Sequence, residues 1–329
     1  MTQKTEAQAR ERDISRCCEM LPEYFYRRHI TFEIEGTTDE DPIPFETLGE
    51  RSFERFEEGQ TWAPNWHSGW FRLRARVPDQ WAGETVVGRI NFGGEACVFS
   101  EAGEPIQGLT GGSAFIGPFV RDRYRLFEEC KGGKEVSLLV ETAANELFGV
   151  GSPLGKDPVP MPLGGGKTIG QIKYVRLCTF DEEMYRLYLD MTTLTRLMGD
   201  LPERDPWRAR LRTRLHEAVC AFRHDEYNAA EVRTMIEPLL ETEASGAQLR
   251  TRAVGHAHID TAWLWPMRET VRKCARTFST QLRLTERYPG YVFGASQACH
   301  YAFVKENYPG LYDRIKDAVQ DGRWEVQGA

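Results

Sequence analysis

Two histidines and an aspartate alternate along one short segment, and their side chains are of the types that bind metal ions. His256, His258 and Asp260 are separated by Ala257 and Ile259. Alternate residues of an extended chain point to the same side, so two imidazoles and a carboxylate would converge. Such nitrogen and oxygen ligands suit Zn²⁺ or another divalent metal. A structural role stays open, with one histidine hydrogen-bonded in the core and Asp260 capping the next helix.

Two tryptophans follow this segment. Trp263 and Trp265 come shortly after Asp260. Sugars present apolar C–H faces that stack on indole rings, so a metal beside an aromatic surface could bind a polyol through two different forces. Tryptophans are also ordinary core residues, and these two indicate a sugar site only because the metal-type motif is adjacent.

The region after Leu249 alternates between strand and helix patterns, and Pro309 must interrupt its second helix. The order βαβαβ predicts parallel strands with right-handed crossovers, as in the opening of an α/β barrel. The metal-type motif then lies at the carboxyl end of the first strand, where such barrels carry their active sites. Three strands cannot close a barrel, so we expect an incomplete one. The strand patterns lie at 251–255, 291–294 and 324–326, and the helix patterns at 269–287 and 301–321.

The region from 25 to 180 consists of short β-type runs separated by glycine, proline and aspartate. Trp70–Val77 alternates apolar and basic residues, and Glu135–Glu141 is a second strand candidate. Many short strands at turn-like spacing predict an antiparallel β-sandwich. The Gly- and Pro-rich stretch 149–170 lacks the spacing of a phosphate-binding loop, and we expect it to be an exposed loop.

Residues 181–248 have a helical pattern. Apolar residues recur at helical spacing from Met184 to Met198, including Leu197, and again from Trp207 to Phe222. Stripes of this kind usually form core, so no catalytic residue is expected here. The predicted fold is therefore multidomain: an N-terminal arm, an antiparallel β-sandwich, a helical connector and an incomplete α/β barrel. Their boundaries are 1–24, 25–180, 181–248 and 249–329.

Composition and charge exclude several classes of function. The chain is 41% hydrophobic and 28% charged, as globular proteins are. Its net charge of −7 gives no broad basic field, so we expect neither nucleic acid nor a membrane as partner. Residues 1–22 lack the apolar core of a secretory signal, and no apolar run could span a bilayer. Eight cysteines without CxxC spacing indicate reduced thiols, and together these features predict a cytoplasmic location.

Several stretches carry a family resemblance. His258-Ile259-Asp260-Thr261-Ala262-Trp263 has the pattern His-x-Asp-x-x-Trp. It resembles the signature of glycoside hydrolase family 38 α-mannosidases. The stretches that follow it, as far as Ala329, resemble the cytosolic and vacuolar type of these enzymes. The similarity is close from Gly255 to Ala329 and weaker upstream. The further matching stretches are 269–279, 288–289, 296–298, 308–309 and 324–329, with 62–71, 93–96 and 141–149 in the sandwich.

The resemblance implies a metal-dependent retaining α-mannosidase with a seven-stranded type of barrel, acting on α-mannoside oligosaccharides. Carried over to this chain, His258 and Asp260 would be zinc ligands and Trp263 would floor the subsite for the cleaved mannose. His256 matches a histidine that supports the ligands without binding the metal. The nucleophilic aspartate and a further histidine ligand would follow Ala329. No catalytic residue is assigned within the chain, and residues 1–329 alone are expected to be inactive.

Two other functions stay open on the residues alone. An amidohydrolase-type metal hydrolase also has His-x-His after its first barrel strand, and there both His256 and His258 would bind metal. A non-catalytic sugar-binding or assembly module is the second alternative. Homo-oligomerisation is also left open, since an uncovered strand edge favours association. The tryptophans of the sandwich could form a sugar platform, although burial in the core is favoured: Trp62, Trp66, Trp70 and Trp81.

Overall fold

The computed structural model divides the chain into two compact units, of which one comprises 1–29 with 178–251 and the other 30–177 with 252–329. Within the described residues, no helix is long and apolar enough to cross a membrane. The described residues are 3–64, 66–111, 120–145, 168–224, 228–242, 251–262 and 265–328.

The described residues of the first unit form four α-helices. Asp181 caps the second of them by accepting a hydrogen bond from the Met184 backbone N–H at 2.9 Å. The predicted apolar stripe of this helix is buried from Met184 to Met198. Leu197, however, is 41% exposed, because at 100° per residue it lies about 100° from the centre of the stripe. The helices are α1 (Gln3–Met20), α2 (Glu182–Asp200), α3 (Pro206–His224) and α4 (Ala229–Leu240).

Helix α1 occupies the segment for which the sequence predicted only an N-terminal arm. Ile14 of α1 is fully buried. Glu11 accepts hydrogen bonds from Arg208 at 3.0 Å and from Arg212 at 3.1 Å, both on α3. The many charged residues of this segment made it look like an arm in the sequence. One of them, Glu11, instead forms partly buried ion pairs with α3.

The strands between Tyr26 and Phe180 form a four-stranded and a six-stranded sheet, in the orders β1-β12-β6-β9 and β3-β2-β5-β10-β7-β8, and β11 pairs with β4. In chain order they are β1 (Tyr26–Thr31), β2 (Glu33–Asp39), β3 (Glu54–Phe56), β4 (Thr61–Pro64), β5 (Ser68–Arg76), β6 (Val86–Asn91), β7 (Glu95–Phe99), β8 (Pro105–Thr110), β9 (Arg123–Phe127), β10 (Glu135–Ala143), β11 (Thr168–Gln171) and β12 (Tyr174–Phe180). Short 3₁₀ helices lie at Leu21–Tyr24, Phe45–Glu50 and Asp79–Trp81.

These sheets confirm the predicted β-sandwich. Strands β5 and β10 pair antiparallel, with Phe71 opposite Val140 and Leu73 opposite Leu138. Phe71, Leu73 and Val140 are fully buried in the sandwich core. The predicted burial of the four sandwich tryptophans is also confirmed, so they offer no exposed platform: Trp62, Trp66, Trp70 and Trp81 are 2–9% exposed. The predicted loop 149–170 lies outside the described residues as far as 167.

The C-terminal part of the second unit is a parallel α/β layer. Strand β13 pairs with β14, and β14 with β15, all parallel as predicted. Pro309 begins the third helix, which confirms the predicted break. Fully buried Phe293 and Trp324 pack between sheet and helices. The elements are β13 (Gly255–His256), α5 (Met267–Arg287), β14 (Phe293–Ala295), α6 (Ala298–Asn307), α7 (Pro309–Gln320) and β15 (Trp324–Val326).

The first strand of this layer is shorter than predicted. Residues 251–254 are exposed and unpaired, and pairing begins with Gly255 opposite Phe293. Since β14 has only three residues, the earlier part of the first segment has no partner along it. The layer is the three-stranded sheet β13-β14-β15 over the described residues, and the barrel itself stays a prediction.

Candidate functional site

The structure brings His258 and Asp260 together just after β13. Their side-chain atoms His258 Nε2 and Asp260 Oδ1 are 2.9 Å apart and form a hydrogen bond. The side chains are 72% and 39% exposed. An imidazole nitrogen and a carboxylate oxygen, both of which can bind metal ions, therefore meet at the carboxyl end of a parallel strand and are accessible to solvent.

Ile259 explains why these two side chains point outward. It is 6% exposed and belongs to the core cluster beneath the sheet, with Ala257 packed against it. Burial alternates along the segment as predicted, even though regular strand pairing ends at His256. His256 is exposed on the same side, but no hydrogen bond joins it to either neighbour within the described segment 251–262.

The turn after Asp260 has an unusual backbone. Ala262 has φ 54°, in the left-handed region that alanine seldom adopts. Its N–H donates to Thr270 Oγ1 on α5 at 2.9 Å, and the Trp265 indole N–H donates to the same oxygen at 3.0 Å. Trp265 is 6% exposed, so it is a core residue and not a surface for sugar. Trp263 lies outside the described residues.

A buried histidine lies behind the same turn. His300 Nε2 and Thr261 Oγ1 are hydrogen-bonded at 2.9 Å, and His300 is 3% exposed. Burial, together with the nearby His258, lowers the pKa of His300. His300 is therefore held in its neutral form and supports the turn through Thr261. Sequence reasoning did not single out this residue, since a lone histidine in a helix has no distinctive pattern.

The face of α5 that packs on the sandwich is charged. Glu269, Arg272 and Arg276 are spaced by three and four residues, so they share one helix face. They meet Glu141 of β10 and Glu95 of β7. We call these three carboxylates and three cations the ionic cluster: Glu95, Glu141, Glu269, Arg272, Lys273 and Arg276.

The ionic cluster joins α5 to the sandwich within the second unit. Arg272 pairs with both Glu141 and Glu269, and Arg276 Nη2 donates to Glu141 Oε2 at 3.2 Å. Glu95 pairs with Lys273 and Arg276. Three positive and three negative charges therefore compensate one another where burial would make an unpaired charge costly.

The charged groups of the ionic cluster shift one another's pKa values. Burial alone would raise the pKa of Glu95, but the charges of Lys273 and Arg276 outweigh it and lower the pKa to about 2. Glu269, unlike the partly exposed Glu95, is fully buried, yet the arginines at 272 and 276 lower its pKa. Burial disfavours the charge on Arg276, but the three carboxylates raise its pKa well above the ordinary value. All three groups are therefore ionised at neutral pH.

One cleft of the second unit lies next to the carboxyl ends of β14 and β15. It has a volume of about 540 Å³ and is lined by α6, α7 and the residues after β14 and β15. Neither His258 nor Asp260 lines it. Across the described ranges, no three His, Cys, Asp or Glu side chains are placed to bind one ion. His258 and Asp260 are therefore a pair of ligand-type side chains and not a complete set of metal ligands among the described residues.

Two models of known families match this chain, one over the sandwich and the other over the C-terminal α/β layer. Residues 28–185 match the family model described as "Alpha-mannosidase, jelly roll domain". Residues 248–329 match the model described as "Glycosyl hydrolases family 38 N-terminal domain". The chain therefore belongs to glycoside hydrolase family 38, and the resemblance found in the sequence is confirmed.

Curated relatives extend over most of the chain. It is 31% identical over 306 residues to "Alpha-mannosidase G" of Dictyostelium discoideum, covering 91% of this chain and 26% of that protein. It is 31% identical over 291 residues to "Alpha-mannosidase 2C1" of Homo sapiens, covering 87% of this chain and 27% of that protein. The chain thus spans about a quarter of the length of these relatives.

One solved structure that aligns with this chain is a β-glucuronidase from Ruminococcus gnavus in complex with uronic deoxynojirimycin. The alignment covers 48% of this chain and 30% of the glucuronidase chain. The TM-score is 0.30 and the sequence identity 15%. We draw no conclusion from so low a similarity.

Proposed function

We propose that this chain contributes the β-sandwich and the first metal ligands of a metal-dependent retaining α-mannosidase that acts on α-mannoside oligosaccharides. The observation that carries the proposal is the His258–Asp260 pair, which lies at the carboxyl end of β13 inside the region matched by the family 38 model. Strand ends of this kind carry the active sites of α/β barrels.

The two donors fit a zinc ion. Zinc binds imidazole nitrogen and carboxylate oxygen at about 2.0–2.2 Å, so two ligand atoms of a tetrahedral site lie roughly 3.4 Å apart. His258 Nε2 and Asp260 Oδ1, now hydrogen-bonded at 2.9 Å, would need to separate by only about 0.5 Å to share an ion. Both side chains are exposed enough to reach an ion. His258 and Asp260 would hold it, and His256 would support them without binding. The ion would supply an electrophilic site for sugar hydroxyls.

The proposed reaction also needs a surface that binds the sugar and two carboxyl groups that cleave the bond. Trp263 would offer an apolar face to the cleaved mannose, as indoles do for sugars. Retaining hydrolysis needs a nucleophilic carboxylate and a second carboxyl that protonates the leaving oxygen. We assign neither within residues 1–329, and we propose that a polypeptide of these residues alone does not turn over α-mannosides. Robust hydrolysis by such a polypeptide would show that the nucleophile lies within it.

Two histidine variants of the complete gene product test the proposal. His258→Ala should remove bound zinc, measured by metal analysis after dialysis, and should abolish hydrolysis of p-nitrophenyl α-mannoside. His256→Ala is the matched control, because it lies two residues earlier on the same exposed side. It should retain much more metal than His258→Ala, because its proposed role is to support the ligands and not to bind the ion. Equal loss of metal in both variants would instead favour an amidohydrolase-type site with two histidine ligands, and a wild-type product without α-mannosidase activity would refute the function.

We also propose a cytoplasmic location. No disulfide joins any of the eight cysteines, all of which lie among the described residues, and five of them are buried. Burial raises the pKa of Cys97 and of Cys274 to about 12, so both thiols stay protonated and unreactive. Alkylation of the protein from its native source, unfolded without reductant, followed by peptide mapping of residues 1–329, should find all eight of these cysteines as thiols. A smaller number would indicate an oxidising compartment.

A further inference from the structure

The hydroxyl of Thr270 connects α5 to both ends of the turn that follows the proposed metal ligands. Its oxygen accepts hydrogen bonds from the backbone of Ala262 and from the indole of Trp265. Thr270 is fully buried. A hydroxyl oxygen has two acceptor lone pairs, so this one atom can serve both donors. The two donors flank positions 263 and 264 in the sequence.

These bonds are not an ordinary helix cap. A capping side chain accepts from the N–H groups at the start of its own helix, and the N-cap position of α5 is Pro266. Thr270 lies four residues further on and accepts from outside the helix. Its hydroxyl therefore serves the turn and not the helix.

The backbone of the turn requires such a partner. Ala262 has φ 54°, where its Cβ crowds the following carbonyl oxygen. A non-glycine residue stays in this region only when surrounding contacts fix it. The hydrogen bond from Ala262 to Thr270 is such a contact, and Asp260 lies only two residues before it.

Helix α5 is itself fixed in place next to Thr270. Glu269, the preceding residue, pairs with Arg272 and Arg276. Arg272 also pairs with Glu141 on β10 and donates to Ser68 on β5. A continuous set of buried contacts therefore runs from the sandwich through the start of α5 to the turn.

We propose that Thr270 is a positioning residue for the turn that follows the proposed metal ligands: its hydroxyl sets the conformation of Ala262, and so the placement of Asp260 two residues before it. The inference rests on the proposed function of His258 and Asp260. It assigns the sandwich a part in that function, because the ionic cluster fixes the helix that presents Thr270.

Three variants of the complete gene product test this role. Thr270→Val keeps the shape but removes the acceptor, whereas Thr270→Ser keeps the acceptor. Thr285→Val is the matched control. Thr285 is a buried threonine of the same helix, and its hydroxyl donates to the Leu282 carbonyl at 2.8 Å. Its neighbour across the fold is Arg323, far along the chain from the turn.

The first measurement is the zinc dissociation constant, obtained by chelator competition. Loss of a group that orients metal ligands typically weakens binding by about 10–100-fold, so Thr270→Val should weaken zinc binding at least about tenfold. Thr270→Ser and Thr285→Val should stay within about twofold of wild type. Unchanged affinity in Thr270→Val, or equal weakening in Thr285→Val, would overturn the proposal.

The second measurement is amide hydrogen exchange over residues 256–265, which does not depend on zinc. Exchange should become faster in Thr270→Val but not in the other two variants, because only there does the Ala262 N–H lose its acceptor. Unchanged exchange would also overturn the proposal. A wild-type protein that binds no zinc would refute the proposed function instead, and the exchange rates would then decide by themselves whether Thr270 fixes the turn.

Discussion

Arg272 and Glu141 lie 131 positions apart in the sequence and form an ion pair whose side chains are 6% and 8% exposed. One residue lies on α5 and the other on β10, so the pair joins the family 38 segment to the sandwich. A buried charge without a partner is strongly destabilising. The packing of the sandwich and the conformation of the proposed metal turn are thus linked through one helix.

Removing one charge from this pair should destabilise the chain. Glu141→Gln leaves Arg272 and Arg276 short of a negative charge in a buried site, and we expect a loss of roughly 3 kcal/mol in urea unfolding. Glu35→Gln is the control, since its pair with Arg74 is 43% and 56% exposed and should change stability by less than about 0.5 kcal/mol. Similar losses in both variants would contradict the role of the cluster.

Acid should weaken the part of the ionic cluster in which Glu95 pairs with Lys273 and Arg276. The pKa of Glu95 is about 2 in the folded chain, below its ordinary value of 4.5. A carboxyl whose pKa falls on folding stabilises the protein above its unfolded pKa, and this contribution is lost as the pH falls through the folded pKa. Urea midpoints should therefore decline between pH 4.5 and pH 2.

The variant Glu95→Gln separates this effect from general acid unfolding. It should be less stable than wild type at pH 6, and its stability should fall less steeply below pH 4.5. Parallel pH profiles for the two proteins would contradict the assignment of the low pKa to Glu95.

Much of the fold follows from periodicity. The alternation in Trp70–Val77 and the helical stripe of α2 predicted their elements, and the proline at 309 predicted the break between α6 and α7. These signals are local, because each depends on residues within one or two turns of one another. The start of β13 could not be predicted in this way, since the length of the strand depends on a partner strand 38 residues away.

The candidate site was predictable only in part. The types and spacing of His258 and Asp260 indicated a donor pair, and the structure brings them together. The ionic cluster was not predicted, because charged residues in a helix ordinarily indicate a solvent-exposed face. Its partners come from β7 and β10, and no local pattern connects Glu95 or Glu141 to α5. The role of Thr270 depends equally on a tertiary contact.

The left-handed conformation of Ala262 should be measurable as strain. Ala262→Gly should raise stability by about 1 kcal/mol, because glycine adopts φ 54° without the Cβ clash. Ala302→Gly, at an exposed position within α6, should lower stability by about 1 kcal/mol. Thermal unfolding of the two variants compares them directly. A loss of stability in Ala262→Gly similar to that in Ala302→Gly would show that the turn is not strained.

If His258 and Asp260 are metal ligands of an α-mannosidase, Asp260→Asn in the complete gene product should lower kcat/KM for p-nitrophenyl α-mannoside. Asparagine preserves the size of the side chain but removes the charge that a zinc ligand supplies. We expect a fall of at least about 10³-fold with loss of bound zinc, as when a catalytic metal is removed. Asp321→Asn, an exposed aspartate paired with Arg323, should leave both unchanged. Wild-type activity in folded Asp260→Asn would contradict the claim.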